Sequence, residues 1–89
     1  MNQSDTSSTH PQWEKLLSEY LKEIKAIHNI PYREISKRLE NIGFNQTSGN
    51  LSNKFSSGII GGPLLIAVLI AMDEESLDLR EFKARLVSS

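Results

Sequence analysis

The chain has 89 residues, no cysteine, and ten Lys and Arg against eleven Asp and Glu, for a formal net charge of −1. That length fits one domain with a single modest core. The absence of cysteine excludes disulfides, thiolate zinc sites and cysteine nucleophiles, and the near-neutral charge excludes the undirected nucleic-acid affinity of a strongly basic chain, which comes mostly from phosphate neutralisation.

Residues 1–10 are polar and rich in Ser and Thr, with nothing to bury, and are expected to form a disordered tail. They have neither a basic nor an apolar signal-peptide region, so a cytoplasmic protein is expected. Residues 11–89 are expected to form one helical domain. Trp13, Leu16, Leu17, Tyr20, Leu21, Ile24 and Ile27 recur at three- and four-residue steps, which predicts a first helix from about Gln12 to Ile27 with these side chains on its buried face. Pro11 suits its first turn, where a missing N–H costs nothing.

A second helix is predicted from Pro31 to about Asn41, with Ile35, Leu39 and Ile42 inward and Gly43 as its stop. Thr47 is placed as the N-cap of a third helix that buries Leu51 and Phe55 and ends at Gly58. Its outward face then holds Ser48, Asn50, Ser52, Asn53 and Lys54. Gly61-Gly62-Pro63 opens a fourth helix in which Pro63 to Met72 are all apolar. That run falls well short of the roughly 20 residues a bilayer span needs, so it reads as a central helix covered on nearly all sides, in part by a partner subunit. Asp78 to Glu81 has capping-box spacing and starts a fifth helix with Leu79, Phe82 and Leu86 inward. The fold class is therefore all-α with five helices.

Tyr32 to Gly58 is the segment that points to function. Two short helical patterns, joined by a glycine-marked turn and closed by another glycine, have the layout of a helix-turn-helix. Charge supports the same region: Asn29 to Gly62 holds four basic and two acidic residues, whereas both flanking segments are net acidic. The REISKRLE run, the NLSNKF run, Gly58 and the apolar PLLIAVLIAM helix resemble the lambda-repressor-like DNA-binding fold of bacterial and phage regulators. The Trp13 start, the Gly43-to-Thr47 turn and the Asn50-Leu51 pair are similar to a bacterial family of small uncharacterised domains with a repressor-like core. The turn from Ile42 to Thr47 is longer than is typical of such regulators.

With double-stranded DNA as ligand, Gln46, Thr47, Ser48, Asn50 and Asn53 are the candidate base-contact residues, since amide side chains can pair with adenine. Arg33, Lys37, Arg38 and Lys54 are the candidate phosphate contacts. The competing reading of these residues is a solvated helix face, with the cations pairing to Glu34 and Glu40. No cofactor is expected. His10 and His28 lack any metal-binding spacing, so no metal is expected either, and the acidic Asp73-Glu74-Glu75 turn reads as a helix separator rather than a catalytic cluster. The expected function is a small, homodimeric transcriptional regulator and not an enzyme. The alternative is a repressor-like fold that binds a protein partner as an adaptor, antitoxin-like protein or phage-type inhibitor.

Overall fold

The computed structural model describes residues 10–88, with side chains as far as Leu86. The expected tail thus lies outside the described residues apart from His10. Among the described residues the chain is all-helical: α1 (Pro11–His28), α2 (Tyr32–Asn41), α3 (Ser48–Ser57), α4 (Gly62–Ala71) and α5 (Leu79–Ser88). α1 packs against α3 and α5, while α2 packs against α3 and α4. No single described helix is long and apolar enough to cross a membrane.

The core forms where these contacts meet. Leu21 of α1, Ile35 and Leu39 of α2, Leu51 and Phe55 of α3, and Val68 and Met72 at the end of α4 are fully enclosed. Each such side chain contributes about 1.5–3 kcal/mol by leaving water. Phe55 also receives the edge of Tyr32, their ring centres 5.2 Å apart and nearly perpendicular.

Backbone capping explains where the helices stop. Gly43, at φ +97°, ends α2: its N–H donates to the Glu40 carbonyl and that of Phe44 to Leu39. The same paired pattern ends α4, with Asp73 at φ +66° and the N–H of Glu74 reaching the Leu69 carbonyl. Gly58 ends α3 at φ +72°, and its backbone lies so close to α1 that an added Cβ would sit 1.9 Å from the Glu14 carbonyl oxygen. Nearby, the buried Ser18 hydroxyl donates to the Ser56 carbonyl at 3.0 Å.

Several expected positions differ. Pro31 is the N-cap of α2 and not its first residue, because its ψ of 156° is extended. Trp13 and Ile27 are exposed, near the two ends of an α1 that is longer than any of the other helices. Ile42 is exposed because it follows the last helical residue, and the cap turns Phe44 inward in its place. Leu79 is 60% exposed. Phe82 instead docks α5, its ring 4.7 Å from Tyr20. α4 is covered on one side only: Ala67, Val68, Leu69 and Ala71 are buried, but Ile66 and Ile70 are 61% and 57% exposed.

Candidate nucleic-acid interface

α3 begins where the sequence places it. The Thr47 hydroxyl accepts the Asn50 N–H at 3.0 Å, satisfying one of the free donors of the first turn. That turn contains no acidic residue, so the positive end of the helix dipole is uncompensated. Thr47, Ser48, Gly49, Asn50 and Asn53 are all exposed. A Cβ on Gly49 would meet only the Thr47 hydroxyl, at 3.9 Å. The packing of α3 therefore makes no demand for glycine there.

α2 is locked to the start of α3 by one short bond. The Ser36 hydroxyl donates to the Gln46 carbonyl at 2.5 Å. Arg33 and Lys37 are four residues apart on α2, hence on one helical face, and both are exposed. The helix that bonds to the residue before α3 through Ser36 thus also carries two exposed cations. At the start of α2, Tyr32 packs on Phe55 of α3, and Lys25 Nζ lies 4.3 Å from its ring centre. Burial pushes the Tyr32 phenol above its ordinary pKa, and a hydrogen bond with Ser52 works in the opposite direction.

Not every candidate shares this surface. Gln46 is half-buried, and its Oε1 is shielded from solvent with no partner among the described residues, so the turn does not extend this side chain outward. Ser52 is half-buried and engaged with Tyr32 rather than facing out. Lys54 is half-buried further along α3. Arg38 is the largest departure: its guanidinium donates to Glu34 at 3.1 Å, to the Ala71 carbonyl at 2.9 Å and to Asp73 at 3.2 Å. It ties α2 to the end of α4, where a cation also complements the helix dipole.

The acidic turn after α4 has a comparable structural task. Asp73 meets Arg38, and Glu74 accepts from His28 Nε2 at 2.7 Å, joining the end of α1 to the end of α4. Among the described residues, no three His, Asp or Glu side chains are grouped to hold a metal ion. Sequence reasoning missed the roles of Ser36, His28 and Arg38. Their partners lie 10, 46 and 33–35 residues away along the chain, beyond any local pattern.

A family model described as a domain of unknown function (DUF6471) matches residues 13–77, well over half of the chain, and the protein belongs to that family. No curated protein and no solved structure matches it. The match stops just before α5, so α1 to α4 and the following turn are the part shared with the family.

Proposed function

We propose that the protein is a small DNA-binding transcriptional regulator, in which α2 and α3 act as a lambda-repressor-like helix-turn-helix and two copies bind as a homodimer. One observation carries this reading: the amino end of α3 is polar, exposed and free of acidic groups, and α2, whose Ser36 bonds to the Gln46 carbonyl just before it, carries exposed Arg33 and Lys37. Asn50 and Asn53 are the base readers, with Thr47 and Ser48 at the groove edge. Arg33, Lys37 and Lys54 meet phosphates. Gly49 supports the same surface, because a glycine that packing does not require leaves room for close approach of a ligand backbone.

Fluorescence anisotropy with genomic fragments tests the proposal. Asn50→Ala is expected to cost about 1–3 kcal/mol on a specific site, whereas Lys37→Ala weakens all sequences alike and lowers the salt slope by about 1. Gly49→Ala is expected to leave the fold as stable or up to about 1 kcal/mol more stable, while DNA affinity falls. An absence of salt-sensitive binding to any fragment would refute the regulator reading. The second reading, a protein-interaction module, is favoured by the open face of α4 and predicts indifference to DNA at every ionic strength.

A further inference from the structure

α5 is the least integrated helix of the molecule. Among the helices it packs against α1 alone, and none of its described side chains is fully buried. Its contacts run along one face of α1. The backbone of Asp78 hydrogen-bonds the Tyr20 phenol, the Phe82 ring lies 4.7 Å from the Tyr20 ring, and the Arg85 guanidinium donates to Glu19 at 3.4 Å and to Glu23. The chain before α5 is anchored as far as Glu74 and no further. Arg38 holds Asp73 and His28 holds Glu74, while Glu75, Ser76 and Leu77 are exposed and, among the described residues, form no backbone hydrogen bond. The family match ends at Leu77 as well.

The face that α5 covers is held in place without it. Gly58 against Glu14 and the bond from Ser18 to Ser56 fix α1 to α3, His28 fixes it to the end of α4, and Tyr20, Leu21 and Ile24 belong to the core. We infer that α5 is a strap that opens as a unit about Glu75 to Leu77. Its opening bares Tyr20 and the carboxylates of Glu19 and Glu23 to an outside helix of α5's own chemistry, an aromatic ring followed one turn later by an arginine. The closed state is autoinhibitory, because α5 and the incoming helix use the same three side chains of α1.

The clasp is of the right strength for such a part. Each ion pair of Arg85 is partly exposed, so it contributes little and is screened by salt, and a single aromatic pair adds a modest attraction. Opening breaks no fully enclosed packing: Phe82 is half-buried, and Leu77 and Leu79 already face water. Tyr20, 3% exposed with α5 in place, is the ring that opening uncovers. The enclosed side chains of α1 to α4, by contrast, part only when the whole domain unfolds. This inference does not depend on DNA being the ligand.

Native-state hydrogen exchange of the full chain, followed by NMR, is expected to give the α5 amides one common opening constant, roughly 100-fold or more above that of the α1 to α4 core. Raising salt from about 0.05 to 0.5 M should increase that opening about threefold. Phe82→Ala should increase it roughly tenfold. Arg85→Gln should increase it about threefold and remove most of the salt dependence. In all three cases the exchange of the core stays unchanged. A synthetic peptide of residues 78–89, added at roughly millimolar concentration to the full-length Phe82→Ala protein, should shift the amides of Glu19, Tyr20 and Glu23. The same peptide carrying Arg85→Glu should not. Amides of α5 that exchange only together with the core, or that show no protection at all, overturn the inference. So does a peptide that leaves α1 unshifted, or that shifts it equally with and without Arg85→Glu.

Discussion

Replacing Gly58 with alanine perturbs the tightest contact between α1 and α3, and two costs follow from the geometry. The first is conformational, since an L side chain at φ +72° loses about 1 kcal/mol relative to glycine. The second is steric. The new Cβ would stand 1.9 Å from the Glu14 carbonyl oxygen and 2.7 Å from its carbon, and both are backbone atoms that no rotamer change can clear. Relief requires α1 and α3 to part by about 1 Å, and a gap of that size forfeits a quarter to a half of the dispersion energy across it. Leu51 and Phe55 lie at that interface, so we expect a further loss of about 2–4 kcal/mol. The total, about 3–5 kcal/mol, is a large part of the stability of a domain this size. Urea denaturation followed by circular dichroism measures it, and Gly43→Ala is the control. Gly43 also has positive φ, at +97°, but nothing lies within 4 Å of its Cβ position, so only the conformational cost of about 1 kcal/mol applies. Equal losses in the two variants would refute the close approach of α1 and α3.

Arg38→Met keeps the aliphatic stem but cuts the tie between α2 and α4. Urea denaturation should show a loss of about 1 kcal/mol, discounted for the partial exposure of the ion pairs, while the salt slope of DNA binding stays unchanged. Arg85 joins α5 to Glu19 and Glu23 of α1 and lies near Glu81. Arg85→Ala should therefore speed amide exchange across 79–88 and leave the protection of α1 to α4 intact. The Arg80 side chain, helped by its N–H, holds the Asp78 carboxyl below its ordinary 3.8. A depressed folded value means that this cap stabilises α5 above the unfolded pKa and is lost as pH falls through the folded one. The first turn of α5 should fray only in acid, and Asp78→Asn should abolish that pH dependence in an NMR titration of the Arg80 amide.

The helices were legible because their signals are local. Alternating three- and four-residue steps, Thr47 before a polar turn, and glycines at 43 and 58 each act within a few residues, and all five elements form within one or two positions of expectation. Burial was less legible. Trp13, Ile27, Ile42 and Leu79 have the right residue type and period, but exposure depends on which neighbour reaches them, and that is a property of the assembled fold. The same limit applies to Arg38. Its i,i+4 partner Glu34 is visible in the sequence, yet the Ala71 carbonyl that directs the guanidinium inward belongs to another helix.

The fate of Arg38 changes the electrostatics of the proposed function. The basic excess of residues 29–62 rests on four cations, and one of them is committed to the scaffold. Three remain for phosphate, which gives a salt slope of about −3 for one copy. Such a slope supports only weak, indiscriminate attachment. In the proposed homodimer two copies would double the phosphate contacts, to a slope of about −5, and would set two α3 helices one turn of DNA apart, about 34 Å. The chain that offers too few cations for one copy to bind tightly also leaves one face of α4 uncovered. For the proposed homodimeric regulator the consequence is that affinity for DNA is expected to rise with protein concentration through the range in which two copies associate, and anisotropy across that range checks it.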